Sequence, residues 1–553
     1  MRPILVWSFL GQQTAHLNLS SLSSSKTPAG GRLDSTTSIR RSVLQEPTAR
    51  SPSPRRLLAS DNRSTATPMG EANATGTPAT ATVRVLAVSR VAPAPAPAAA
   101  DPVVVKLSFF DTPWVVLPPI QRVFLYELPG GDGEFTAAVT RLKSSLAATL
   151  AVYLPLAGKL AYVAGTGDVV VDCVDDPGVA FVEAEADAGI DTMDVRRLAS
   201  DEAHDIPAFL ALVPELPTKV LPAPVLSVQA TRIPGGGLAL GLSVHHAVAD
   251  GQAVWRFMGA WASAARDGSP VTKSLPAPHY SREAVHVPNG DEFARQMLKM
   301  VAPNLPAAGT VADYDFSQRF RLARRTFYLG GDDIRALKLR ISALAEAEAE
   351  AEDDVVADGR SKKKPVSTFV ALSALGWTSF VRCKGLGAGD DTYLVFLADL
   401  RARMDPPVAD GYLGNCIKGC LATADAGDLL GERGLLVACR AIQAAVAEME
   451  AAPLAGSERW IQKMMGLPFA RLANVAASPR FRVYEASDFG FGRPARVELV
   501  SMNNDGEMVL VGGRGDGEVQ LSVSLDPARM EDFKAHVFAT SAAPSDSAAA
   551  AAN

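Results

Sequence analysis

A mixed α/β fold in two parts is predicted for this chain by three observations. Strand-like and helical runs mix through both halves without the regular strand–helix–strand beat of a parallel sheet. An irregular, proline-rich stretch from Ser269 to about Gln318 separates the halves. The 553 residues, 48% of them hydrophobic and 21% charged, are enough for two domains that each bury a core.

The elements follow in order. Residues 1–68 are rich in Ser, Thr and Arg and poor in acids, and bury too little apolar surface to order themselves. Their composition has a transit-peptide character, and "RPILVWSFL" resembles a signal core with no small-residue cleavage site after it. The simpler reading is a non-native or disordered N-terminal extension, with Met69 as an alternative start, and the segment is set aside from the fold.

The first domain is expected over residues 81–268. "ATVRVLAVSRVAPAP" reads as a strand and a Pro/Ala linker. "VVVKLSFFDTPWVVLPPIQRVFLYEL" holds strand-like runs cut by Asp-Thr-Pro and Pro-Pro turns. Glu134 to Tyr153 has helical spacing, and strands follow through "LPLAGKLAYV" and "DVVVDCVDDPGVAFVEAEAD". "GGLALGLSVHHAVAD" runs as a strand up to two adjacent histidines, and Gly251 to Gly268 is an amphipathic helix.

After the 269–318 crossover, the second domain is expected over 319–540, with a disordered tail at 541–553. The run "ALAEAEAEAEDDVVADGRSKKKP" is a solvated helix end or a disordered insert, and its basic part reads as a solvated loop rather than an anion site. "VSTFVALSALGWTSFVRC" is a helix capped by Ser367 or Thr368, and a long helix covers about Leu429 to Ala451. The last third reads as mostly strand, through "RFRVYEASDFGFG", "RVELVSMNN" and "GEMVLVGGRGDGEVQLSVSL", before a short closing helix at "DPARMEDFKAHVF".

Several function classes are disfavoured. A net charge of −6 and a pI near 5.8 argue against nucleic acid as the main partner. No apolar run reaches membrane-spanning length uninterrupted. Five scattered cysteines read as reduced thiols of a cytoplasmic protein, and Cys416 with Cys420 lacks the second ligand pair of a zinc site, so no metal is expected. No nucleophile elbow, P-loop or dinucleotide fingerprint is found, and "GGRGDGE" is explained by a hairpin turn. The "DFG" of residues 488–490 lacks every other kinase signature.

Two constellations remain. In "LSVHHAVADGQAVWRF", His246 lies where a strand exits toward a helix, with Asp250 four residues on and Gly251 next. A neutral imidazole there can take a proton from an attacking hydroxyl, and the carboxylate can hold the loop. The pattern alone equally fits a histidine satisfied inside a loop. In "SDFGFGRPARVE", Gly490 and Gly492, flanked by phenylalanines, indicate a tight loop that approaches another surface closely.

"HHAVADG" and "DFGFG", about 240 residues apart, are accompanied by "FFDTPW", "YLPLAGKL", "STFVALSALGW", "YLGNC", "DLRARMDPP" and "SPRFRVYEASDFG". In this order they resemble the plant BAHD acyl-CoA-dependent acyltransferases, and the similarity runs from about Val83 to Phe538. Within that family, "FFDTPWVVLPPIQRVFLY" and "YLGNC" resemble the anthocyanin and phenolic glucoside malonyltransferase group. Leu413 and Phe491 stand where that group usually has Phe and Trp.

The resemblance implies two similar chloramphenicol-acetyltransferase-like domains, each a mixed sheet with helices, meeting at a central solvent channel. It implies a monomeric O-acyltransferase that needs no cofactor. Malonyl-CoA would be the co-substrate and a small glycosylated phenolic or flavonoid the acceptor. His246 would be the general base, and Asp250 would support its loop through an arginine. Asp488, Gly490 and Gly492 would form a structural motif, with Arg401 or Arg403 as partners of the two aspartates. Arg256 and Arg401 are candidates for the malonyl carboxylate, and Ser367 and Thr368 for further substrate contacts. A hydroxycinnamoyl-CoA or acetyl-CoA donor on the same fold, and an inactive ligand-binding relative, are the alternatives.

Overall fold

The computed structural model describes residues 83–95, 103–128, 130–187, 193–309, 316–352 and 365–541. The 1–68 extension, the Lys-rich run before Pro365, and the expected tail beyond Ser541 lie outside the described residues.

Two six-stranded mixed sheets form the frame, with a four-stranded sheet beside the first. The first sheet is ordered Val83–Val91, Val179–Ala186, Leu226–Ile233, Gly237–Val244, Ile120–Glu127 and Arg496–Leu499. Its last strand comes from the second half of the chain and pairs antiparallel with Ile120–Glu127, Val123 opposite Glu498. Residues 496–499 thus leave the expected 319–540 unit to complete the first sheet. The second sheet is ordered Ala323–Leu329, Val519–Leu525, Glu507–Gly512, Leu472–Ser478, Asp391–Asp399 and Ile417–Asp425.

Side chains alternate across a strand, so a sheet covered on both faces reads as a continuous apolar run. Along Ile120–Glu127, Phe124 and Tyr126 join the large core under the helices Gly131–Val152 and Gly251–Asp267. Val123 and Leu125 face the opposite way, into a smaller core with Val195, Leu198 and Phe209. "GLALGLSV" is buried at all eight positions for the same reason. The two long helices are tied together by Trp261, whose indole N–H lies 3.0 Å from the Ser145 hydroxyl.

The helix expected from Glu134 is Gly131–Val152, and the one expected from Gly251 is Gly251–Asp267. Ser367 is the cap of Thr368–Lys384; its hydroxyl accepts from the Val370 N–H. The Ala/Glu run is helical, within Gly331–Glu352. The glycine loop 513–518 joins two antiparallel strands, as expected for a hairpin.

Three readings are corrected. The helix expected over 429–451 is split into Ala426–Leu430 and Gly434–Ala451. The chain folds so tightly there that a Cβ on Gly434 would lie 2.0 Å from the Leu429 carbonyl oxygen. The 269–318 crossover is not irregular throughout, because it holds the helix Gly290–Val301 with Ala294, Met297 and Leu298 buried. "RFRVYEASDFGFG" is not a strand; it is a turn, a short 3₁₀ helix at Glu485–Ser487 and a glycine loop.

Gly241 lies in the strand that leads to the histidines, and a Cβ there would meet the Leu212 carbonyl oxygen at 2.1 Å and the Val213 Cα at 2.8 Å. Backbone atoms cannot rotate away, so Gly241→Ala is expected to lower stability by about 1–3 kcal/mol. Gly165→Ala, which meets nothing within 4 Å, is the control that thermal unfolding should find unaffected.

Candidate functional site

The histidine turn is built by its two flanking elements. The strand Gly237–Val244 ends, and the His245 N–H donates to the Val225 carbonyl at 2.8 Å. Five residues later Asp250, in extended conformation, caps the next helix by accepting from the Ala253 N–H at 3.0 Å. A carboxylate suits a helix N-terminus, where free N–H groups and the dipole favour negative charge. Between these two anchors, His245 is fully buried and His246 is partly buried on the wall of a cavity of about 1150 Å³.

The His246 ring lies flat against the Trp114 indole, centroids 3.9 Å apart and planes within 8°. Trp114 is fixed by its indole N–H, which donates to the Phe110 carbonyl at 3.0 Å. Burial lowers the His246 pKa from its ordinary value, offset in part by the residue's own carbonyl and the charges of Asp250 and Asp111. The imidazole is therefore neutral at neutral pH. Its Nδ1 is enclosed and without a well-formed hydrogen bond, which leaves Nε2 as the nitrogen open to a reacting group.

Two buried ion pairs hold the turn against the second half of the chain. Asp250 and Arg401 are 0% and 1% exposed and meet at 2.9 and 3.0 Å through both carboxylate oxygens. The same carboxylate accepts from the Cys416 N–H, and Arg401 also reaches Asp399 and the carbonyls of Tyr412 and Gly414. Asp111 accepts from Arg282 at 2.8 Å, and from the backbone and side-chain amides of Asn415. Asn415 also donates to the His246 carbonyl at 2.9 Å. "YLGNC" is thus a strap between two ion pairs, and one of its side chains touches the histidine's backbone.

The candidates from sequence fall into three groups. His246, Ser367, Thr368 and Arg401 line the cavity. The Thr368 hydroxyl accepts from the Lys338 ammonium, and Ser367 caps its helix, so both have structural partners. Arg401 is already paired with Asp250 and Asp399 through its two terminal nitrogens, which leaves its charge engaged within the protein. Arg256 is not among the cavity-lining residues. Arg403 pairs with Glu450, and neither it nor Arg401 meets Asp488.

Asp488 instead accepts from the Gly490 N–H within its own loop, and its carbonyl accepts from Arg266. Gly490 and Gly492 take φ of +88° and +101°, a region that other residues rarely adopt. Phe489 packs edge-on against Trp261 at 4.8 Å, and Phe491 against Tyr126 at 4.9 Å. The loop braces the first core, and none of residues 488–492 lines the cavity.

Sequence reasoning missed Trp114, Asp111, Asn415 and Arg282 as parts of the site. Only the tight motifs "FFDTPW" and "YLGNC" signalled that those stretches mattered. It also missed Arg122, which lines the cavity from the strand Ile120–Glu127 and is 6% exposed. Among the described residues, no group of three or more His, Cys, Asp or Glu is placed to hold a metal ion, and no helix is long and apolar enough to cross a membrane.

Comparison with known proteins identifies the family and the fold. The sequence profile of the Transferase family matches residues 83–540. The malonyl-CoA:anthocyanidin 5-O-glucoside-6''-O-malonyltransferase of Arabidopsis thaliana is 31% identical over 455 residues, covering 79% of this chain and 94% of that protein. Phenolic glucoside malonyltransferase 2 of the same plant is 29% identical, covering 77% of this chain and 92% of its own length. Among solved structures, vinorine synthase superposes with a TM-score of 0.60 at 20% identity, covering 83% of this chain and 98% of that one.

The Asp250–Arg401 pair makes a stability prediction. Asp250→Ala leaves a buried guanidinium short of its main partner and is expected to cost about 3–5 kcal/mol in a urea titration. Replacing both residues, as Asp250→Ala with Arg401→Met, should recover part of that loss.

Proposed function

Because this chain belongs to the Transferase family, the BAHD acyl-CoA-dependent acyltransferases, we propose that it moves a malonyl group from malonyl-CoA to a sugar hydroxyl. The acceptor is a flavonoid, anthocyanin or other phenolic glucoside. The observation that carries this reading is end-to-end similarity to malonyltransferases that act on such glucosides, joined to a neutral histidine on the wall of a large cavity.

The chemistry follows from the site. Nε2 of His246 takes the proton as the sugar oxygen attacks the thioester carbonyl. The tetrahedral intermediate collapses, the C–S bond breaks, and the proton passes from the imidazolium to the departing thiolate of CoA. The oxygen–carbon bond formed is the new ester, so no covalent acyl-enzyme is needed. Trp114 stacks on the ring and fixes its plane, Asn415 holds the His246 carbonyl and also acts on the imidazole, and Asp250 holds the turn from its far end. Asp250 is a positioning residue in this scheme.

A second reading, transfer from an aromatic hydroxycinnamoyl-CoA, is favoured by the aromatic wall beside the base. Trp114 and Trp460 both line the cavity, with ring centroids 6.4 Å apart. The two readings differ in product mass. Incubation of the chain with malonyl-CoA and a panel of flavonoid and phenolic glucosides should yield a product heavier by one malonyl group. Turnover with coumaroyl-CoA alone would select the second reading.

His246→Ala is expected to reduce kcat by about 10²- to 10⁴-fold while thermal unfolding is retained. The base works only when neutral, so kcat/KM should rise with pH and then level off. Because the pKa is lowered, the half-maximal point should lie below the ordinary histidine value of 6.5.

A further inference from the structure

Among the described residues, four arginines are buried: Arg122, Arg324, Arg401 and Arg496. Three of them have polar partners within the protein. Arg401 meets Asp250, Arg496 meets Glu498 at 2.8 Å, and Arg324 donates to the Val500 carbonyl at 2.7 Å. Arg122 differs: its side chain makes no hydrogen bond or ion pair with any described residue, whereas each of the other three makes at least one. Its guanidinium carbon lies 4.8 Å from the centroid of the Trp255 ring, and the charge of Glu498 acts on it without forming an ion pair. A buried cation with no hydrogen-bonded anion is costly, and beside a cavity it is a candidate to receive one.

Its place in the sheet aims it at the reaction. Arg122 pairs with Leu242 of the histidine strand on one side and Leu499 on the other, so its backbone is held by ladders on both edges. Ile120, two residues earlier and on the same face, pairs with Val244, two residues before His246. Ile120, Arg122 and His246 all line the one cavity. Burial lowers the guanidinium pKa to about 10, with Glu498 opposing, and it remains charged at neutral pH. The other cavity arginines near the base are neutralised, Arg401 by Asp250 and Arg403 by Glu450.

We propose that Arg122 is the specificity-determining residue that binds the free carboxylate of the acyl donor, a role that rests on the malonyl reading above. A guanidinium presents a planar fork that matches a carboxylate. A carboxylate seated on Arg122 would orient the acyl chain from the floor of the sheet toward the histidine turn. Acyl groups without that charge would leave the arginine unpaired.

The test is direct binding of malonyl-CoA and acetyl-CoA, measured by calorimetry without acceptor, for the full chain and for Arg122→Met and Arg122→Lys. Product mass with malonyl-CoA is recorded for the unaltered chain. The expected result is tighter binding of malonyl-CoA than of acetyl-CoA, and a loss of that preference by roughly 10- to 100-fold in Arg122→Met. Arg122→Lys, which keeps the charge but not the fork, should fall between, and it decides the matter if Arg122→Met does not fold. A malonylated product together with an unaltered malonyl-over-acetyl preference in the folded variants overturns the role of Arg122 alone. Absence of malonyl transfer by the unaltered chain overturns the donor assignment, and with it this inference. A variant that keeps its donor preference but loses affinity for an acceptor bearing a carboxylate moves the anion site to the acceptor and also overturns it.

Discussion

Asp250 and Arg401 are bound to each other out of reach of water, and the site depends on that contact. The carboxylate starts the helix after the histidine turn, and the guanidinium holds the carbonyls of Tyr412 and Gly414. One ion pair therefore sets the distance between a turn from the first half of the chain and a strap from the second. Buried pairs of this kind are poor evidence of net stability, because removing two charges from water is costly. What they fix is geometry. Each oxygen of Asp250 accepts from Arg401 and from one backbone N–H, Ala253 on one side and Cys416 on the other, so the turn is tied to both at once.

The second pair, Asp111 with Arg282, repeats the arrangement on the other side of the strap. Asn415 connects it to the histidine, and Trp114 follows Asp111 by three residues. The stretch that anchors the strap thus also supplies the aromatic plate under the imidazole. Histidine, aromatic plate and strap are thus joined by stacking and hydrogen bonds into one connected unit.

Much of this was legible in the sequence, for identifiable reasons. The strand before His246 and the helix after Asp250 were visible because an unbroken apolar run and an amphipathic period meet at a polar turn. Of Ser367 and Thr368, both suited by residue type to cap their helix, Ser367 is the cap, while the capping role of Asp250 emerged only from the fold. The helix at 290–301 was obscured by the prolines and charges around it, and its buried stripe of Ala294, Met297 and Leu298 is narrow. "RFRVYEASDFGFG" looked like a strand because its apolar residues alternate, but Phe489 and Phe491 project from a glycine loop into aromatic pockets. Of the two arginines offered without assignment for Asp250 and Asp488, Arg401 meets Asp250, Arg403 meets Glu450, and neither meets Asp488. Which arginine meets which carboxylate is a property of the assembled sheets, and no local spacing encodes it. For the same reason Arg122 read as an ordinary strand residue: its lack of a partner exists only in three dimensions.

The strand Arg496–Leu499 is produced near the end of the chain, yet it edges the sheet that carries the histidine strand. Its hydrogen bonds stitch the two halves of the molecule along a backbone ladder as well as through side chains. Two bodies joined in that way cannot open like a clam without tearing a sheet.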